Sequence, residues 1–227
     1  LPKDGKLLID SENQVKIIGP KIIGRMHLEK SSDLVKDINI AKLIWPIEKE
    51  PKILAISEMG KIGLLKWEFA GQNPGSINKF LPAGIETEEI INLIAIDEDD
   101  SKSLILISSD GRLKRLSMKE IVDMTGRAST ILKMKEKVKL KAAIICEKNG
   151  SIILISNFGR VLKIEITEDS MPLMGKLAQG QLFMRLFPEE HIIGAASEKE
   201  GENKTIAIGT EEGKFIYLKT SNLKKSV

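Results

Sequence analysis

Basic residues stand in short groups along this sequence, and lysine and arginine are the side chains that contact phosphate groups. Each phosphate that such a cation neutralises releases bound counterions, so a surface of several cations binds a nucleic-acid backbone with an affinity that falls steeply with salt. Contacts of this kind do not require the base sequence to be read. The candidates fall into three groups: Arg112, Lys114 and Arg115; Arg160 and Lys163; and Arg127, Lys133, Lys135, Lys176 and Arg185.

The run LKMKEKVKLK (132–141) alternates lysines with mostly apolar residues. Such alternation predicts a strand with one solvated face, and lysines on that face protect a sheet edge from pairing with other molecules. The other interpretation is that some of these lysines, among them Lys133 and Lys135, contact a phosphate backbone. The pattern by itself leaves both interpretations open.

Catalytic chemistry has little basis in this sequence. The two histidines, His27 and His191, lack the spacing of a metal site or of a nucleophile with its base. No GxxxxGK[ST] segment is present, so we expect no ATP site, and we predict no cofactor and no metal. The single cysteine, Cys146, lies in the apolar run AAIIC and is predicted to fill the core.

The composition limits the class of protein. The chain has 227 residues, of which 42% are hydrophobic, and this is enough for a sizeable core. Its formal net charge is only +3, so any nucleic-acid surface depends on local clustering of cations. The single cysteine suits a reducing compartment and the apolar runs are too short to span a membrane, so we expect a cytoplasmic protein. Because the sequence starts at Leu1, we expect it to be a domain of a longer polypeptide.

The cations belong to a repeated pattern. ISEMGKIGLL (56–65), ISSDGRLKRL (107–116), ISNFGRVLKI (155–164) and GTEEGKFIYL (209–218) align on Gly60, Gly111, Gly159 and Gly213, and LLIDSENQVKII (7–18) places Asn13 in the same column. Glycine reaches the positive φ of a tight turn without strain and asparagine tolerates it, so each segment is predicted to be a β-hairpin. The residue after the turn is basic in four copies, as Lys61, Arg112, Arg160 and Lys214, and is Gln14 in the fifth.

The segments between the hairpins also repeat. Residues 75–96, 128–146 and 180–196, with 38–50 as a weaker copy, each show a short strand, a charged loop and an apolar strand. A unit of about 50 residues with three or four short strands is typical of a propeller-like array. The sequence therefore predicts an all-β disc of four to five blades in one domain, 1–227. The expected repeats are about 5–50, 51–100, 101–149, 150–202 and a partial 203–227. Trp45 and Trp67 are expected in the packing, and SMKEIVDM (117–124) is expected to form one helical turn.

The repeats resemble the C-terminal domain of the A subunit of bacterial DNA gyrase and of topoisomerase IV. Each unit of that family carries an apolar strand, a Gly-basic turn, a loop like Met-Gly-Arg-x-x-x-Gly and a Glu-rich turn before Ile or Val. The matching positions are Met174, Gly175, Lys176, Ala178, Gln179, Gly180, Leu186, Pro188, Glu189, Glu190 and Ile192, and in reduced form Met124, Thr125, Gly126, Arg127, Ile131 and Lys133.

The resemblance implies a β-pinwheel, in which neighbouring blades exchange strands and a basic rim binds and bends duplex DNA. It implies a non-catalytic, monomeric domain of an ATP-dependent type II topoisomerase. The implied partners at the nucleoid are duplex DNA, the ATPase B subunit and the rest of the A subunit, with no membrane. The DNA-cleaving tyrosine of that family lies in another domain, so Tyr217 is not that residue.

The sequence departs from the family in one motif. The Gln-Arg-Arg-Gly-Gly-Lys-Gly box of gyrase is absent; GQNPGS (71–76) and IIGRMHLEKSSD (22–33) are the nearest segments. Strong DNA wrapping is therefore not expected. A propeller-like platform that binds a protein partner remains the alternative function. One basic residue after each turn favours DNA, because a protein platform has no need of a cation in every unit.

Overall fold

A computed structural model describes residues 4–19, 41–96, 101–122 and 126–226, so the segment 22–33, Met124 and Thr125 lie outside the described residues. The described strands are β1 (Lys6–Asp10), β2 (Gln14–Ile18), β3 (Ala41–Pro46), β4 (Lys52–Ser57), β5 (Lys61–Leu64), β6 (Gly75–Ser76), β7 (Ile90–Ile96), β8 (Ser103–Ser108), β9 (Arg112–Ser117), β10 (Ser129–Thr130), β11 (Leu140–Cys146), β12 (Ser151–Ser156), β13 (Val161–Glu165), β14 (Gln181–Leu182), β15 (Ile192–Glu198), β16 (Thr205–Gly209), β17 (Phe215–Lys219) and β18 (Lys225–Ser226). Helical segments are short: the predicted turn α1 (Lys119–Val122) and 3₁₀ turns at Ile47–Lys49, Trp67–Gly71, Ile77–Phe80 and Thr220–Asn222. The described part is all-β, as predicted.

The chain forms two compact units. Among the described residues, unit 1 comprises 4–19, 41–57, 61–96 and 126–129, and unit 2 comprises 58–60, 101–122 and 130–226. Each unit has its own apolar core. In unit 1 the core includes Leu7, Ile53 and Trp67, and in unit 2 it includes Ile107, Ile152 and Leu154.

Four sheets of four strands follow one plan, and a fifth sheet has two described strands. The spatial orders are β3-β1-β2-β6, β10-β5-β4-β7, β11-β8-β9-β14, β15-β12-β13-β18 and β16-β17. We call these sheets 1 to 5. In each of the first four, a hairpin gains a longer strand beside its first strand and a two-residue strand beside its second. This arrangement agrees with the predicted four to five blades.

The two-residue strands are exchanged between repeats. The strand β6 lies on β2 of sheet 1, although it follows the hairpin of sheet 2 in the chain. Likewise β14 follows the hairpin of sheet 4 but pairs with β9 of sheet 3, and β18 follows β17 but pairs with β13 of sheet 4. The strand exchange implied by the family resemblance is therefore confirmed, and GQNPGS (71–76), one of the two segments nearest to the missing gyrase box, supplies the exchanged strand β6.

The first strands of the hairpins lie at the centre of their sheets. Every residue of SLILIS in β8 and of SIILIS in β12 is buried, because each strand has neighbours on both edges and packed layers on both faces. A continuous apolar run is the pattern expected for such a strand. Cys146 is also buried, as predicted, and burial raises the pKa of its thiol to about 12. Trp67 is buried too, with its indole Nε1 donating to the Pro51 carbonyl, whereas Trp45 is 37% exposed.

The turn glycines have the predicted positive φ, for example 82° at Gly111 and 75° at Gly159. Gly111 has a second reason to lack a side chain. The backbone N–H groups of Phe183 and Met184 both donate to its carbonyl, and a Cβ on Gly111 would clash with the Met184 carbonyl oxygen. At Gly159, apart from the adjoining residues of the chain, no described atom lies within 4 Å of the position that a Cβ would take. The segment that follows the exchanged strand β14 therefore lies in close contact with the turn at Gly111, whereas there is space for a side chain at the turn of Gly159.

The prediction that 132–141 forms a half-exposed strand is wrong for most of its length. Only Leu140 and Lys141 lie in a strand, β11, and residues 133–139 form a loop in which Lys137 has a φ of 66°. The apolar side chains at both ends of the run still point inward, with Leu132 and Leu140 buried. The apolar residues of this run therefore belong to a loop that is held at its two ends. The Leu132 N–H donates to the Gly60 carbonyl, and the Leu140 N–H donates to the Glu58 carbonyl.

Sheet 5 differs from the others in exposure. Phe215, Ile216 and Tyr217 on β17 are 67%, 56% and 70% exposed.

None of the helices in the described ranges is long and apolar enough to cross a membrane.

Candidate nucleic-acid interface

The basic residues after the turns of sheets 2 and 4 are neutralised within the protein. Lys61 forms an ion pair with Glu88, which also accepts from the Ser57 hydroxyl. In sheet 4 the same three positions are filled by Arg160, Glu190 and Ser156. Arg160 donates from Nε to Glu190 Oε1 at 2.7 Å and from Nη2 to Oε2 at 2.9 Å. These contacts form a clamp between the start of the second hairpin strand and the Glu-rich turn.

The clamp carboxylate of sheet 4 is held ionised. Hydrogen bonding from Arg160 lowers the pKa of Glu190 to about 2, and bonds from the Ser156 hydroxyl and the Phe187 backbone N–H act in the same direction. The Arg160 guanidinium also lies 4.6 Å from the centre of the Phe187 ring, in the geometry of a cation–π contact. Arg160 therefore has a structural role, and the argument that one cation per repeat implies DNA does not hold for Lys61 and Arg160.

Arg112 is in a different environment, because its repeat lacks the clamp glutamate. Counting two residues before the apolar strand, as for Glu190 and Ile192, gives Val138 before Leu140. Arg112 instead lies 3.4 Å from Asp110 and donates to the Gly180 carbonyl at 3.3 Å. Its side chain is 30% exposed, so part of the guanidinium faces solvent.

Two of the predicted contact residues are buried in ion pairs. Arg115 is 3% exposed and bonds to Glu168, to the Ser103 hydroxyl and to the Met171 carbonyl. Lys163 is 8% exposed and pairs with Glu198 at 2.5 Å. Their cationic groups are occupied by acceptors inside unit 2 and hold the sheet to the segments beside it.

Lys114 is buried without a paired carboxylate. It is 0% exposed, and its ammonium donates to the carbonyls of Ile131 and Lys176, each at 2.5 Å. Burial lowers the pKa of Lys114 to about 8, and the more distant charge of Glu120 opposes this shift. The geometry thus removes Lys114, Arg115 and Lys163 from the group of cations that face solvent.

The remaining predicted cations are exposed. Lys133, Lys135, Lys176 and Arg185 are exposed in unit 2, Arg127 is exposed in unit 1, and within the described ranges no side-chain hydrogen bond or ion pair engages these five. Lys133 and Lys135 line a shallow hollow with Arg112, Asp110 and Gln179. We call Lys133, Lys135 and Lys176 the loop lysines, because they lie on the two loops that meet at Lys114.

The clamps were not predicted from the sequence, although the signal was present. A Glu two residues before the apolar strand occurs at Glu88 and Glu190, and a Ser occurs four residues before the cation at Ser57 and Ser156. The serine spacing is shared by Ser108 and Arg112, so it is the glutamate position that separates Lys61 and Arg160 from Arg112. Among the lysines of 132–141, the structure also removes Lys139, which pairs with Glu58 at 2.6 Å.

Comparison with known proteins supports the resemblance. Residues 102–147 and 150–197 match the family model described as DNA gyrase C-terminal domain, beta-propeller. The gyrase A protein of Ureaplasma parvum is 24% identical over 147 residues, which are 64% of this chain and 17% of that protein. The topoisomerase 4 A protein of Synechocystis is 23% identical over 134 residues, 55% of this chain and 15% of that protein. The chain thus spans less than a fifth of the length of these relatives.

Solved structures share the fold along nearly the whole chain. The C-terminal domain of DNA topoisomerase IV has a TM-score of 0.78 at 15% identity, covering 98% of this chain and 69% of that one. The DNA gyrase A C-terminal domain has a TM-score of 0.72 at 19% identity, covering 99% and 74%. The resemblance read from the sequence is therefore confirmed: the repeats at 102–147 and 150–197 match the DNA gyrase C-terminal domain family, and the chain has the β-pinwheel fold of that domain.

Proposed function

We propose that this chain is a non-catalytic, DNA-binding domain of the A subunit of a bacterial type II topoisomerase. In this proposal it binds the backbone of duplex DNA through Arg112, the loop lysines and Arg185. The observation that carries it is that partly exposed Arg112 lines one hollow with Lys133 and Lys135 beside the hairpin of sheet 3, where Val138 stands at the position of the clamp glutamate of sheets 2 and 4. Arg127, exposed in unit 1, is a further candidate.

The chemistry of this interface is electrostatic. Exposed ammonium groups on flexible stems neutralise phosphates as point charges and do not select bases. The partners in the cell would be duplex DNA at the nucleoid, the ATPase B subunit and the rest of the A subunit. The domain would need no cofactor of its own. With a net charge of +3 and no gyrase box, we propose contact and modest bending, not strong wrapping.

The test is the affinity of the purified domain for a duplex of about 40 base pairs, titrated over a range of salt concentrations. A log-log slope of about −4 is expected from four or five phosphate contacts. The variant K133Q/K135Q/K176Q should lose most of this slope. The matched control K148Q/K219Q/K224Q also removes three positive charges from exposed sites in unit 2, which takes the formal net charge from +3 to zero in each case. Equal losses in the two variants would contradict a localised interface.

A protein-binding platform is the second candidate, and a specific observation favours it. The strand β17 exposes Phe215, Ile216 and Tyr217, and large exposed apolar side chains in a row are typical of partner surfaces. The duplex titration separates the two functions, because a platform of this kind would show no binding to DNA even at low salt.

A further inference from the structure

Lys114 occupies an unusual position for a lysine. It lies in the middle of β9, between Leu113 and Arg115, and is fully buried. Its two carbonyl acceptors, on Ile131 and Lys176, lie 17 and 62 residues further along the chain. A single ammonium group therefore joins two segments that come from different repeats.

The two joined segments carry the loop lysines. Lys133 and Lys135 follow Ile131 by two and four residues, and Lys176 is itself the second acceptor residue. Backbone bonds hold the loops only near their ends: Leu132 and Leu140 bond to Gly60 and Glu58, and Leu173 and Met174 lie against Arg115. Residues 133–139 are outside any strand, and on the other side residues 175–179 form a turn between the bond of Met174 to Arg115 and the strand β14.

The acceptors distinguish Lys114 from the other buried cations of unit 2. Arg115 and Lys163 face carboxylates, on Glu168 and Glu198, which neutralise them. Lys114 is satisfied by neutral carbonyls alone, so its positive charge is solvated but not cancelled. A buried charge without a counter-ion is costly, and burial lowers the pKa of Lys114 accordingly. Its positive potential adds to that of the loop lysines beside it.

We propose that Lys114 is the positioning residue of the DNA interface: it joins the 131–139 and 174–180 loops so that Lys133, Lys135 and Lys176 meet phosphates together. This inference rests on the proposed function. Lys114 itself does not touch DNA. It fixes the relative placement of the cations that do, and a lysine suits this task because a compact ammonium on a long stem can donate to two carbonyls at once.

The experiment compares K114M with K163M in the same domain. Each variant removes one buried positive charge from unit 2, but only Lys114 joins the two loops. For K114M we expect an affinity for the 40-base-pair duplex about tenfold weaker, and a salt slope smaller in magnitude by about two, because the cations no longer act together. For K163M, measured where the protein is folded, we expect an unchanged slope and an affinity within about twofold of the original. K114R, which keeps the charge and can donate to both carbonyls, should restore most of the K114M loss.

Hydrogen exchange supplies a second readout. In the absence of DNA, the amides of both loops should exchange faster in K114M than in K163M. In the unmodified domain, DNA should protect both loops together, and if K114M does not fold, K114R supplies the comparison at this position. Protection of only one loop, equal loss of affinity in K114M and K163M, or an unchanged slope in K114M would overturn the proposal. If the unmodified domain does not bind DNA at all, the proposed function fails, whereas the exchange comparison without DNA still tests whether Lys114 joins the loops.

Discussion

Whether a basic side chain of this protein is available to an external phosphate depends on the residue that faces it in the fold. Arg160 and Arg112 occupy the same column of the repeat, yet Arg160 faces Glu190 and Arg112 faces the position of Val138. A bidentate arginine–carboxylate bond is among the stronger polar contacts in proteins, and it leaves little charge for an external phosphate. Arg160 is thus occupied by a carboxylate within the protein, whereas part of the Arg112 guanidinium stays open to solvent.

The clamp gives a pH prediction. Because the pKa of Glu190 in the folded protein is lowered to about 2 from an ordinary 4.5, its ionised form favours folding at neutral pH. This contribution is fully present above pH 4.5 and is lost as the pH falls towards 2. We expect E190Q to be less stable than the original protein at pH 7, in urea unfolding, and the difference to shrink between pH 4.5 and 2.

The neighbouring E189Q is the control for this experiment, since Glu189 is exposed and makes no contact with Arg160 through its side chain. It should leave the pH dependence unchanged. Parallel stability curves for E190Q and the original protein across the acid range would show that the clamp does not contribute as argued.

The sequence was informative about residue types but not about their partners. It correctly placed Cys146, which lies in an apolar run, and the large ring of Trp67 in the core. It did not separate exposed from buried cations. Lys114, Arg115 and Lys163 lie on strands whose second faces are covered by segments from later in the chain, and no local pattern reveals that cover.

At the scale of elements, the exchanged strands make two similar turns unequal. Gly111 and Gly159 both have positive φ, so alanine at either position is strained by about 1 kcal/mol. At Gly111 a Cβ also meets the Met184 carbonyl and displaces the segment that bonds to the turn. We expect G159A to cost about 1 kcal/mol in urea unfolding and G111A to cost about 3 kcal/mol or more.

The pair of variants tests the exchange itself. In G111A, hydrogen exchange at Phe183 and Met184 should increase, because their N–H groups donate to the Gly111 carbonyl. Equal destabilisation of G111A and G159A would mean that the turn conformation alone explains both glycines. Such a result would remove the close approach of the exchanged segment as a source of stability.

Sequence patterns predicted some of the strands and not others. The hairpins were predictable because a turn glycine between two apolar runs has few other uses, and five copies in register strengthen each other. The exchanged strands are only two residues long. A segment such as Gln181–Leu182 is too short to show a hydrophobic period, so the sequence does not indicate which strand it pairs with. The prediction of a strand at 132–141 was wrong although the sequence pattern was clear. The alternation of apolar residues and lysines there belongs to a loop held at both ends, and not to a strand paired along its length.

At the scale of the whole molecule, the proposed interface reads charge and not sequence. Two 40-base-pair duplexes of equal length and unrelated sequence should therefore bind with affinities that differ by less than about threefold, because phosphate contacts carry no base information. Fluorescence anisotropy with labelled duplexes at one salt concentration measures this ratio. A difference of about a hundredfold would require direct contacts to base edges, which the exposed lysines do not provide.

The low net charge of the chain limits how far it can bend duplex DNA. Curving a duplex of this length by tens of degrees costs on the order of 1–6 kcal/mol, which several phosphate contacts must offset. A chain with a net charge of +3 has few contacts to spare, so the cost of bending should limit its affinity for intact DNA. A nick at the centre of the duplex removes most of that cost without removing a phosphate contact elsewhere. We expect the nicked duplex to bind about tenfold more tightly than the intact one, with a shorter end-to-end distance by energy transfer. Equal affinities and distances would show that the domain binds DNA without bending it.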